Sequence, residues 1–206
     1  MMSTLARYGL TRGLAVAAAL MTCSGAAIAQ GQGPIKIGSV LSITGPASFL
    51  GDPENKTIEL YVGKINAAGG VLGRQVQLIV YDDASDPEKA RTFSRRLIEQ
   101  DKVDVLLGGS TTGTSMPVMP LAAEAQIPFI SFGGAVGIIE PVQKWVFKTP
   151  HTDRMACEKI FADLRARKLT KLGLISGAGG FDKSMRGECL KVAKTSGIDI
   201  VADENY

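Results

Sequence analysis

The sequence predicts an α/β fold in which parallel strands alternate with helices. Three observations carry that expectation. Runs rich in β-branched residues recur along the chain, separated by segments whose apolar residues follow helical spacing. The first such run, residues 35–42, is apolar at most positions rather than at alternate ones, as in a strand covered on both faces. Glycine, proline and aspartate cluster at the joins, as in Asp52-Pro53-Glu54, Gly69-Gly70 and Asp86-Pro87. Strands joined by helices in this way build a parallel sheet flanked by helices on both sides.

Residues 1–29 read as a signal peptide. Arg7 and Arg12 precede an apolar run at 14–21 with no acidic residue, and Ala27-Ile28-Ala29 has the small-x-small form of a cleavage site. A membrane anchor is one alternative, but the run is shorter than the ~20 residues that span a hydrocarbon layer. A lipid anchor at Cys23 is another, and Thr22 stands where that pattern wants a smaller residue. The mature chain then starts at Gln30 in the periplasm, and its formal charge falls from +3 to +1 with the loss of Arg7 and Arg12. That balance is no footprint for nucleic acid or an anionic membrane. An exported chain meets no pool of ATP or NAD, so no cofactor is expected. An oxidising compartment permits a bridge between Cys157 and Cys189. Each falls on an apolar helix face, however, and two buried free thiols are the expectation.

Each element has a local cause. Asp52 is placed to cap a helix, with Pro53 in its first turn, Glu54 at its positive end, and Ile58, Tyr61, Val62 and Ile65 as the buried stripe. Gly69 or Gly70 ends it in a left-handed conformation. A strand follows at 75–81. Asp86-Pro87 opens the next helix, on which Ala90, Phe93, Leu97 and Ile98 share a face. Strands at 103–107, 127–131 and 144–148 come next, with a helix at about 114–125 and a helical turn at 138–140. The pattern changes at Thr149-Pro150-His151-Thr152-Asp153. Beyond it come a helix striped by Ala156, Ile160 and Leu164, a strand at 171–175, a helix at 183–194 and a strand at 198–202. The expected organisation is a first lobe at 30–148 and a partial second lobe at 149–206. Two strands do not cover themselves, so the second lobe reads as incomplete and the sequence as cut short.

These segments resemble the periplasmic leucine/isoleucine/valine-binding protein family, the substrate receptors of ATP-driven amino-acid importers. The resemblance runs from residue 35 to 206. It rests on the order of Thr44-Gly45-Pro46, Gly51-Asp52, Ile65-Asn66-x-x-Gly69-Gly70-x-x-Gly73, Tyr81-Asp82-Asp83-x-x-Asp86-Pro87, the loop 108–115 and Ile127-Pro128-Phe129-Ile130-Ser131. It implies two α/β lobes that close on a ligand between them, in a family for which hinge closure is established. The family's first-lobe disulfide positions fall on Ser85 and Thr111, so that bond is lost as a unit.

Ser110, Thr111 and Thr112 follow a buried strand and open a helix, at the carboxyl edge where α/β sheets bind ligands. Free N–H groups and hydroxyls at a helix start suit a carboxylate. On the residues alone, ordinary capping is the alternative. By resemblance, Thr112 falls on the serine that grips an amino acid's α-carboxylate, and Gly133 offers its carbonyl to the ammonium group. Ala135 stands where a threonine hydroxyl completes that site. Loss of that partner, worth about 0.5–1.5 kcal/mol, keeps both an amino acid and another small carboxylate, aromatic acids included, in play. Leu50 takes the family's aromatic position at the ligand side chain, with Phe49 beside it. Phe181 matches an aromatic that covers the ligand from the second lobe. Local packing is the alternative for both phenylalanines.

Three motifs are set aside. The segment 177–184 approaches a phosphate-binding loop, but Asp182 stands where glycine must precede the lysine. Asp82-Asp83 lacks the further ligands of a metal site and caps a loop more simply. His151, the only histidine, has no partnered nucleophile. The expectation is a monomeric, cofactor-free substrate-binding protein, not an enzyme. It would deliver a small carboxylate to the permease and ATPase subunits of an ABC importer, with no nucleic-acid partner. A ligand-sensing domain of the same fold and an α/β enzyme are the competing classes.

Overall fold

In the computed structural model, which describes residues 33–206, five parallel strands form the first sheet. They are β1 (Ile35–Leu41), β2 (Val76–Asp82), β3 (Val105–Gly108), β4 (Phe129–Ser131) and β5 (Val146–Lys148), in the order β2-β1-β3-β4-β5. The expected signal segment and its cleavage site lie outside the described residues. Strand order reverses direction between β1 and β3, which makes the carboxyl ends of those two strands a topological switch point.

Helix α1 (Ser48–Ala67) starts four residues before the expected Asp52, so Pro53 lies inside it rather than in its first turn. The cause is a close approach. A Cβ added at Gly51 would lie 2.2 Å from the Ser42 carbonyl, so glycine lets the helix start press against the end of β1. Its expected stripe is only half-buried, and Tyr61 is 58% exposed. Helix α2 (Pro87–Arg96) is capped as expected, with Asp86 Oδ1 accepting the N–H groups of Glu88 and Lys89 at 2.7 and 3.1 Å. It runs on through a π turn at Leu97–Asp101. The helix expected at 114–125 is two: α3 (Thr112–Ser115) and α4 (Met119–Ala125). Pro117 between them has no N–H for the helical ladder. The Ile127 N–H is held by the Ala122 carbonyl, so β4 begins later than residue 127. The short helical turn is a 3-10 turn at Val136–Ile138, two residues earlier than expected. Leu97, Leu106, Phe129 and Ile138 are fully buried at the centre of this layer.

After β5 the ladder stops, and a second sheet contains β6 (Lys171–Ser176) and β7 (Asp199–Asn205), also parallel. Helices α5 (Asp153–Ala166) and α6 (Gly180–Ser196) accompany it. The buried face of α5 carries Cys157 and Phe161, while Ile160 of the expected stripe is exposed. Cys157 and Cys189 are bonded, not free, with their Cα atoms 5.0 Å apart. Both sit on inward helix faces, and packing α5 against α6 sets those faces opposite one another. No helix among the described residues is long and apolar enough to cross a membrane.

Candidate functional site

At the switch point, the chain leaves β3 through Gly108 and Gly109, both with positive φ, and turns into α3. Thr111 caps that helix reciprocally: its Oγ1 accepts the Thr114 N–H at 3.1 Å, and its own N–H donates to Thr114 Oγ1 at 3.2 Å. Thr111 is thus a capping residue, as the alternative for this loop had it. Ser115 Oγ donates to the Gly109 carbonyl at 2.8 Å and lies 2.7 Å from Ser131 Oγ, which accepts the Gly133 N–H at 3.0 Å. This buried relay ties the β3 turn to the β4 turn.

Thr112 is 4% exposed, and its Oγ1 accepts the Ala135 N–H at 3.2 Å. From the other layer, the start of α6 rests on the same point. A Cβ at Gly180 would meet Gly113 N at 3.4 Å and Thr112 Cγ2 at 3.6 Å. The Phe181 ring lies on the backbone of Gly134, where an added Cβ would fall 2.5 Å from it. The structure therefore brings Thr111, Thr112, Gly133, Ala135 and Phe181 together, with the starts of α3 and α6 abutting. Lys148 Nζ donates to the Gly134 carbonyl at 2.7 Å and to that of His151 at 3.1 Å, and burial pulls its pKa down.

Ser110, Phe49 and Leu50 face elsewhere. Ser110 Oγ accepts the Ser42 N–H at 3.0 Å and donates to Glu54 Oε2 at 2.5 Å. Ser42 Oγ in turn donates to Asp83 Oδ1 at 2.7 Å. Burial, and to a lesser degree the Asp83 charge, hold the Glu54 carboxyl above its ordinary value against the lowering pull of Ser110. Burial likewise raises Asp83. Phe49 is 73% exposed, which overturns local packing as its role. With Leu50 and Glu54 it lines an open groove of about 530 Å³, which Phe132, Thr149 and Pro150 also line.

Glu54 joins this groove because α1 begins ahead of Leu50 and not beyond it. Once α1 starts at Ser48, Leu50, Glu54 and Ile58 fall four apart on one face. The set-aside motifs have structural uses. Asp182 Oδ2 accepts the Gly179 N–H at 3.0 Å and closes that loop on itself. Asp82 holds the Thr44 hydroxyl at 2.6 Å and the Ala84 N–H at 2.9 Å. Burial would raise Asp82, but these bonds outweigh it and leave it below the usual carboxylate value.

The sheet order, the helical crossovers and the turn at the carboxyl edge define an α/β fold of periplasmic-binding-protein type. Residues 34–206 match the periplasmic binding protein family, and the chain belongs to it. Among curated relatives, it is 33% identical over 118 residues to Leu/Ile/Val-binding protein homolog 7 of Brucella abortus, covering 55% of this chain and 29% of the relative. It is 26% identical over 208 residues to homolog 8 of the same organism, covering 96% of this chain and 50% of the relative. A solved extracellular ligand-binding receptor from Rhodopseudomonas palustris HaA2 superposes with a TM-score of 0.76 at 32% identity, over 85% of this chain and 48% of that one. The branched-chain amino acid transporter substrate-binding protein of Streptococcus pneumoniae, solved with isoleucine, gives 0.74 at 29% identity, over 84% and 49%. The chain spans about half the length of these structures.

Proposed function

We propose that this protein is the substrate-binding component of an ABC importer, exported by cleavage after Ala29, that captures a small carboxylate between two lobes divided near residue 149. The ligand is a branched-chain amino acid or a related acid, and the closed form hands it to a permease. No bond is made or broken. The observation that carries this reading is the abutment of two helix starts, Thr112-Gly113 of α3 and Gly180 of α6, at the switch point of the sheet. First-turn N–H groups lack intrahelical partners, and among the described residues those of Thr112 and Gly113 have no other, which favours a carboxylate lodged between the two starts. Separation of the two starts would admit the ligand, and the ligand would favour the closed arrangement because only there does it touch both. Titration calorimetry of the full-length protein with leucine and with small aliphatic and aromatic acids tests it. Thr112→Ala should weaken the best carboxylate by about tenfold, the worth of one hydrogen bond to a charged group. Unchanged affinity in that variant would remove Thr112 from the site.

A further inference from the structure

We propose that Ser110 is a positioning residue for the carboxylate-binding turn, bracketed by the Ser42 N–H and the Glu54 carboxylate, which hold the start of α3 in place through it. The effect on ligand affinity rests on the carboxylate-capture reading, while the bracket itself rests on geometry. The backbone ladder of β2, β1 and β3 ends at the pairs Leu41–Asp82 and Val40–Gly108. Past that edge, side chains carry the connection one step further. Asp83 Oδ1 accepts the Ser42 hydroxyl at 2.7 Å and the Ser85 N–H at 2.8 Å. The Ser42 N–H then reaches Ser110 Oγ at 3.0 Å, and Ser110 Oγ donates to Glu54 Oε2 at 2.5 Å. Ser42, Asp83 and Ser110 are buried, so each lost bond would leave a polar group without water to replace it.

Ser110 directly precedes the Thr111 cap and the Thr112–Gly113 start. On the β4 side this turn is tied by the Ser115–Ser131 contact and by Thr112 Oγ1 on the Ala135 N–H. Ser110 supplies the tie on the β1 side. With its one proton on Glu54 and the Ser42 N–H on its oxygen, Ser110 is committed to the scaffold and not to cargo. Glu54 comes from α1, whose start Gly51 seats against the Ser42 carbonyl, so its carboxylate is presented by a fixed element. A hydroxyl bonded to a carboxylate is a charge-assisted pair, firmer than a neutral one. N–H groups grip a carboxylate only while they stay aimed at one point, and that aim depends on both ties.

The test uses the full-length protein, with amide hydrogen exchange of the ligand-free form and calorimetry with leucine, 4-methylpentanoate and benzoate. The Thr114 and Ala135 N–H groups are held by the hydroxyls of Thr111 and Thr112, so their exchange reports whether the turn keeps its place. Ser110→Ala and Glu54→Ala should each quicken both, leave β1 protected, and weaken the best-bound acid about threefold to tenfold. Glu54→Gln, whose amide oxygen accepts the same proton, should restore most of the loss, which a general drop in stability would not allow. The double variant should bind no more weakly than Ser110→Ala, because both changes remove one bond. Glu54 is half-buried on a helix, so its variants carry the test even if Ser110→Ala does not fold. Unchanged exchange at Thr114 and Ala135 in the alanine variants overturns the proposal whether or not any acid binds. So do quickened exchange with wild-type affinity, and equal losses in Glu54→Gln and Glu54→Ala. Quickened exchange that Glu54→Gln reverses, in a protein that binds none of the three acids, upholds the bracket and sinks carboxylate capture.

Discussion

Behind β1–β5 lies a continuous apolar core in which Leu97, Leu106, Phe129 and Ile138 are almost wholly hidden from solvent. Behind β6–β7 the buried set among the described residues is small, with Phe161 and Ile198 its large side chains, and Ile175 and Val201 of the strands themselves stand exposed. Specific cross-links run through this layer: the Cys157–Cys189 bond between α5 and α6, the Arg186–Asp203 pair between α6 and β7, and Arg154 bridging Glu188 and Glu140. One fold type is thus held by burial in one layer and by specific bonds in the other. Burial is non-directional and spreads over many residues; a cross-link concentrates its contribution in two.

Phe129→Ala should produce the largest loss. A cavity at the centre of the first sheet costs about 3–5 kcal/mol by denaturant titration. If the second sheet kept its protection while the first unfolded, the layers would be independent units and the contrast sharper than drawn. Replacing Cys157 and Cys189 together by alanine should cost about 2–4 kcal/mol. Hydrogen exchange should then quicken in β6–β7 well before β1–β3, and equal acceleration in both would break the comparison. The smallest effect is electrostatic. Arg154 first, then Lys191, hold Glu188 below its ordinary value of 4.5, against the raising effect of burial. Its contribution is therefore complete above pH 4.5 and lost as pH falls below that, by about 1 kcal/mol or less because Arg154 is partly solvated. Arg154, Lys191 and Glu140, through its shared hold on Arg154, are the charges that face this group. An acid titration of Glu188→Gln should lack that increment.

Much of this was legible in the chain. The β-branched runs and the capping residues gave the order of strands and helices, because periodicity and caps are local. Asp86 needed only its own neighbours to declare α2. What stayed hidden depended on contacts distant in sequence. Cys157 and Cys189 each advertise an inward helix face, but only the packing of α5 on α6 reveals that the two faces meet. Glu54 was obscured by Asp52-Pro53, a strong start signal that the close approach of Gly51 to Ser42 overrides. Thr112 was singled out from its loop. That its hydroxyl would engage the Ala135 N–H could come only from the adjacency of β3 and β4.

Gly134 sits where the two layers touch. Its carbonyl receives both Lys148 Nζ and the Asp153 N–H, while its bare α-carbon supports the Phe181 ring. The layers therefore meet on naked main chain at the spot where they would have to part. One methyl inserted there would act as a shim, pushing the Phe181 ring aside and setting how far apart the two layers rest.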